Sequence, residues 1–158
     1  MKTLLTFCLL GMILLAGCSE SPVTPPAPLP NCFFRADVYY SKSGETAHWY
    51  ITNPDYLKLY NNLYSTGSYI QVSDPTLVTI RFNQNRDFIP TGEIPVYDCT
   101  FSTGLMSWYN QDDFLNESVV ITANTPKYIE GSFRSLTFNS SISTYEVEMR
   151  NGKFLIWK

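Results

Sequence analysis

The stretch from Ser118 to Trp157 constrains the fold more than any other part of the chain. Four segments within it, SVVITA at Ser118–Ala123, YIEGSFRSLTF at Tyr128–Phe138, STYEVEMR at Ser143–Arg150 and KFLIW at Lys153–Trp157, are rich in β-branched and aromatic residues. Short polar, turn-forming residues separate them. Side chains that alternate between apolar and polar with a period of two suit half-buried strands and give no helical stripe. Asn151-Gly152 between the last two segments is a two-residue hairpin signal, because both residues tolerate the positive φ angles of a type I′ turn. The register predicted from that turn pairs Met149 with Phe154 and Val147 with Ile156 on an apolar face. Glu148 then meets Leu155 and Glu146 meets Trp157 on the other face.

The same period runs through the earlier chain. Phe34, Ala36, Val38 and Tyr40 alternate with Phe33, Arg35, Asp37 and Tyr39, and the even set is expected inside. After a turn around Lys42-Ser43-Gly44, Ala47, Trp49 and Ile51 form the inward set of a second strand, which turns His48 outward. Ile70 and Val72, then Val78, Ile80 and Phe82, continue the pattern beyond Gly67, and shorter strands follow at Ile94–Tyr97, Cys99–Ser102 and Leu105–Asn110. One segment departs from it. Asn53-Pro54-Asp55 offers an N-cap, a first-turn proline and a first-turn acid, and Tyr56, Leu59, Tyr60 and Leu63 follow at helical spacing, predicting one short helix over about 54–65. The expected fold is all-β, an antiparallel β-sandwich or flattened barrel carrying that helix, with no fixed-period internal repeat.

The N-terminal thirty residues have a different character. Lys2 precedes an apolar run, Leu4–Leu15, too short to span a bilayer as a helix, and small residues follow it, so residues 1–17 read as a signal peptide. Leu15-Ala16-Gly17-Cys18 resembles the lipobox of bacterial lipoproteins, which implies diacylglyceryl transfer to the Cys18 thiol, cleavage before it and acylation of the new amine. Two or more acyl chains, at about 0.8 kcal/mol per buried methylene, hold a protein stably on a membrane. Residues 18–30 then form a lipidated cysteine and a proline-rich tether, and residues 31–158 a single β-rich domain of ordinary size. Ser19 after the cysteine resembles the outer-membrane sorting class, with periplasmic and surface display both open.

Charge and cysteines narrow the partners. The formal net charge of −3 becomes more negative once Lys2 leaves, and there is no Lys/Arg cluster of the kind that binds phosphate backbones, which argues against nucleic acid. Cys8 departs with the leader and Cys18 carries the lipid. Cys32 and Cys99 are left in an oxidising compartment, either as a disulfide worth about 4 kcal/mol by loop entropy or as two small buried hydrophobes.

The C-terminal block, with several earlier elements, is similar to a family of small Bacteroidota lipoproteins of unknown function. The shared elements are the lipobox, Phe34-Arg35-Ala36, Thr91-Gly92-Glu93-Ile94-Pro95-Val96, Ile121-Thr122, Gly131-Ser132-Phe133 with Phe138, and Asn151-Gly152-Lys153-Phe154. The resemblance implies an all-β envelope lipoprotein and carries no catalytic or binding residues. Pro95 departs from the family pattern and suggests an edge strand there.

Signatures for chemistry are sparse. The chain has no Gly-x-Ser-x-Gly, His-Glu-x-x-His, phosphate loop or Cys-x-x-Cys. His48 is the sole histidine and reads as a surface residue. Glu146 and Glu148, about 6.6 Å apart by strand rise, match the spacing of an inverting glycosidase pair, but Arg150 and Lys153 share their face and no cleft is evident. Asp112, Asp113, Asn116 and Glu117 supply oxygen ligands without the spacing of a calcium loop and read as a solvated turn. The remaining hint is aromatic. Eleven Tyr, ten Phe and three Trp exceed the needs of a small core, and Tyr50, Trp108, Tyr109, Tyr128 and Trp157 are the candidates for outward rings that stack on sugars or partner proteins. The expected function is a membrane-anchored, non-enzymatic binding or accessory module for a glycan or an envelope protein, with no cofactor beyond the lipid on Cys18 and no metal. The alternative is a structural or assembly component of the envelope, and a glycan-active hydrolase comes third.

Overall fold

A computed structural model describes residues 30–61, 67–74, 76–103, 107–110, 117–139 and 145–158. Among them, eleven strands form one sheet in which every pairing is antiparallel. In chain order they are β1 Phe33–Tyr40, β2 Glu45–Ile51, β3 Leu57–Asn61, β4 Ser68–Val72, β5 Leu77–Phe82, β6 Gly92–Pro95, β7 Asp98–Ser102, β8 Ser107–Asn110, β9 Ser118–Asn124, β10 Tyr128–Asn139 and β11 Glu146–Trp157. Their order across the sheet is β2-β1-β11-β10-β8-β7-β5-β4-β3. The two ends of that path are neighbours in sequence, and β3 comes up against β11, so the sheet wraps into a nearly closed barrel. The inward residues of the alternating pattern fill it: Phe34, Phe82, Phe101, Phe138, Phe154, Ile80 and Met149 are fully buried.

The expected helix is not formed. Asn53-Pro54-Asp55 does act as a cap, with the Asn53 side chain accepting from the Asp55 N–H at 3.0 Å and Pro54 in the first position, but it starts only a 3-10 turn, Pro54–Tyr56. Leu57 is already extended, and β3 pairs with β4 from Leu57↔Val72 to Asn61↔Ser68. Leu57 and Leu59 are buried while Tyr56 and Tyr60 are exposed, so a period of two prevails over the Tyr/Leu helical stripe. An edge ladder that satisfies five residues outweighs a capping signal whose helix would have had to bury tyrosines. Residues 62–65 of that expectation lie outside the described ones.

The Asn151-Gly152 hairpin is also replaced, by a continuous strand. β11 runs unbroken from Glu146 to Trp157, paired on one side with β10 in a single register from Tyr128↔Trp157 to Asn139↔Glu146, and on the other with β1. Asn151 alone has a positive φ, +55°, whereas a type I′ turn needs two such residues. The pair instead makes a β-bulge: Arg35 opposes Lys153 and Asp37 opposes Arg150, so Asn151 and Gly152 together face Ala36. The Asn151 amide donates to Asp37 Oδ2 at 2.9 Å and fixes the bulge. Folding the chain back at this point would strip β11 of ladders on both sides.

Gly152 has a second role. A Cβ there would lie 2.0–2.3 Å from three atoms of the Phe133 ring, and one at Gly131 would lie 2.6 Å from the Phe154 ring and 2.7 Å from the Val120 carbonyl oxygen. Because Phe133↔Gly152 and Gly131↔Phe154 are register partners, each glycine is roofed by the phenylalanine opposite it.

The sheet forks along the other edge of β10. β9 covers Ile129–Phe133, β8 joins only at Asn139↔Tyr109, and the Thr137 N–H in the gap donates to Glu117 Oε1 at 2.5 Å. Glu117 thus serves the backbone at the fork, and the other three residues of the acidic turn, 112, 113 and 116, lie outside the described ones. β6 pairs with β9 and with no other described strand, the edge position that Pro95 implied.

Cys32 and Cys99 are two separate buried thiols, not a disulfide. Cys32 sits just ahead of β1 and Cys99 in β7, with β11, β10 and β8 between those strands in the sheet. Burial pushes the Cys32 thiol up from its ordinary pKa, which makes it a poor nucleophile.

Candidate functional site

The turn Ser41–Gly44 joins β1 to β2, with Gly44 at φ +70° and its N–H bonded to the Tyr40 carbonyl at 2.9 Å. Ser41 ties this turn to the start of β11 twice. Its N–H donates to the Glu146 carbonyl at 3.1 Å, and its hydroxyl accepts from the Glu146 N–H at 2.8 Å. Behind these elements lies a cavity of about 370 Å³, walled by Tyr40, Trp108 and Tyr145 and rimmed by Lys42, Glu45 and Glu146. The Lys42 ammonium sits 4.5 Å over the Tyr145 ring.

Phe101 supports this cavity from beneath. Its ring contacts Trp108 at 5.7 Å and Tyr40 at 6.2 Å edge to face, stacks on Trp49 at 5.8 Å and meets Phe138 at 5.6 Å. Trp108 is therefore not an outward ring. It is 8% exposed, and its indole N–H is buried with no acceptor among the described residues. In a strand of four residues the two faces are hard to tell apart by pattern, and it is Tyr109 that turns outward. Desolvation raises the Tyr40 phenol above its usual pKa, so it stays a neutral hydroxyl.

A second concavity, about 430 Å³, lies on the outer face of β2, β1 and β11, beside the bulge. Arg35, Asp37, His48, Tyr50, Asn151 and Lys153 line it. His48 is 81% exposed, as its place in the alternation requires, and its Nδ1 lies 2.8 Å from Asp37 Oδ1. Hydrogen bonds from Asn151 and then His48 hold the Asp37 carboxyl below the usual range and keep it ionised. Tyr50, opposite Arg35 in the ladder, is 70% exposed.

The five candidate aromatics do not form one surface. Trp108 faces the first cavity, Tyr50 lines the outer groove, and Tyr128 and Trp157 pair across β10 and β11 at the end of the ladder remote from Glu146, where the Trp157 indole donates to the Pro30 carbonyl at 3.0 Å. The carboxylate pair is divided as well. Glu146 borders the first cavity, whereas Glu148 is bound by Arg150 and by the Ser135 hydroxyl at 2.6 Å, and the Arg150 guanidinium holds its carboxyl below the usual range. Among the described residues no three His, Cys, Asp or Glu side chains are grouped to hold a metal ion, and no helix is long and apolar enough to cross a membrane. No protein-family model matches the chain, and no match is found among curated proteins or solved structures.

Proposed function

We propose that this chain is a membrane-anchored lipoprotein of the bacterial envelope whose barrel is a non-enzymatic binding module, taking a hydroxyl-rich ligand, a glycan, in the Trp108 cavity. The observation that carries the reading is a cavity with aromatic walls, Tyr40, Trp108 and Tyr145, and charged groups, Lys42, Glu45 and Glu146, at its rim. Flat aromatic walls offer a stacking surface to the C–H face of a sugar ring. Lys42, Glu45 and Glu146 at the rim add polar groups that fix orientation.

Titration of the full chain against a broad glycan panel tests this. One saturable ligand class is expected, with binding abolished in Trp108→Ala and weakened about tenfold in Tyr145→Ala, the loss of one stacking ring. Tyr145 is only half-buried, so its variant remains informative where Trp108→Ala also disturbs the core. A flat response across the panel overturns the reading.

The anchor is tested separately. The tether and lipobox support attachment through Cys18, so the mature protein is expected to begin at Cys18 with a mass increased by a diacylglyceryl group and an amide-linked acyl chain. An unmodified N-terminus removes the membrane part of the proposal.

A further inference from the structure

The outer groove has a chemistry the first cavity lacks. Arg35 and Lys153 are direct partners in the β1–β11 ladder and both are exposed. Like charges directly opposite one another destabilise a strand pair. Among the described residues neither forms an ion pair, and the one carboxylate lining the groove, Asp37, has both oxygens engaged, Oδ1 with His48 and Oδ2 with Asn151. Asp37 therefore orients its neighbours; Arg35 lies close enough to favour its charge slightly, but no ion pair joins Asp37 to either cation. Tyr50, the ladder partner of Arg35 on the other side, presents a largely exposed ring beside them. Two cations without an ion pair among the described residues, an imidazole held by Asp37 and a flat ring thus lie together in one concavity.

We propose that this groove is an anion-binding site for acidic saccharides, seating a carboxylate or sulfate group between Arg35 and Lys153 while the sugar ring lies against Tyr50. The guanidinium fork of Arg35 and the flexible ammonium arm of Lys153 can both donate to one oxyanion, which relieves the like-charge opposition within the ladder. The bulge at Asn151-Gly152 serves this site by bending β11, and the Asn151–Asp37 bond holds the bend. The inference does not depend on the Trp108 cavity, whose rim carries two carboxylates and one ammonium.

The test is calorimetric titration of the full chain with tetragalacturonate, a fully sulfated heparin-type tetrasaccharide, maltotetraose and inorganic sulfate. Wild type is expected to bind the acidic tetrasaccharides at least about tenfold more tightly than maltotetraose, since one charge-assisted hydrogen bond is worth about that factor. Preference for tetragalacturonate identifies a carboxylate seat, and preference for the heparin-type probe a sulfate seat. Arg35→Ser with Lys153→Ser removes the binding. Tyr50→Ala weakens both acidic saccharides but leaves inorganic sulfate unaffected, and Tyr145→Ala leaves the acidic-saccharide and sulfate titrations unchanged, which separates this site from the first cavity. The double variant is expected to melt no lower than wild type, because it relieves a repulsion on an exposed face. Equal affinity for maltotetraose in the Tyr145→Ala background overturns the proposal, as does an equal loss on replacing the exposed Lys127 by serine, which would show a response to net charge alone.

Discussion

Gly152→Ala is expected to destabilise the protein by about 3 kcal/mol, at the upper end of what overpacking a core costs. The added methyl would lie 2.0–2.3 Å from the Phe133 ring, far inside van der Waals contact. Phe133 has little room to retreat, being 4% exposed and packed at 6.2 Å from Phe34. Urea denaturation gives the loss directly. The decisive measurement is a double-mutant cycle. Phe133→Ala alone removes a buried ring and should cost about 3–5 kcal/mol. In the Phe133→Ala, Gly152→Ala protein the methyl enters the vacated space, so the double variant is expected to cost less than the two single losses combined by at least about 1 kcal/mol. Strict additivity would show that Gly152 is required for the bend of β11 and not for the ring that covers it.

This position also shows where sequence reasoning stops. Alternation identified the inward faces of β1, β2, β4 and β5 correctly, because a period of two leaves little ambiguity over five to eight residues. Asn-Gly is as strong a local hairpin signal as a chain can carry, yet it is overridden because β11 gains ladders from β10 and β1 together, a two-sided benefit no window of neighbouring residues contains. The same holds at Asn53-Pro54-Asp55, where capping chemistry is present and used but tertiary pairing makes a strand of the residues after it.

The candidate sites were legible in part. The outward turn of His48 and the choice of Tyr50 as an exposed ring follow from alternation alone. The grouping of Arg35, Asp37, His48, Asn151 and Lys153 depends on a register that shifts by one residue at the bulge, and a hairpin at Asn151-Gly152 would have taken Lys153 off the β1 partner it has here. Outward charges on β1 facing an outward histidine on β2 were the available signal. Tyr40, Lys42, Glu45 and Tyr145 were missed as cavity residues because they come together through the Ser41–Glu146 bonds, which join positions more than a hundred residues apart.

Phe101→Ala is expected to be the most damaging single substitution, with a stability loss of about 3–5 kcal/mol, toward the upper end of that range because four ring contacts go with the side chain. Phe101 is wholly buried on β7, and its ring alone touches Tyr40, Trp49, Trp108 and Phe138, which belong to β1, β2, β8 and β10. Those strands lie on both sides of the β11–β10 seam, so one side chain links the two halves of the barrel wall. Phe101→Leu keeps most of the volume and loses the edge-to-face geometry, and is expected to cost roughly half as much. The two variants separate packing from positioning. The leucine protein remains folded, and its Trp108 and Tyr40 rings lose their backing, so glycan affinity at the first cavity should fall in Phe101→Leu while binding of acidic saccharides at the outer groove stays unchanged. Denaturation curves and paired titrations on the same preparation measure both. Equal weakening at the two sites would mean that the substitution loosens the whole barrel and that the Phe101 cluster does not specifically support the first cavity.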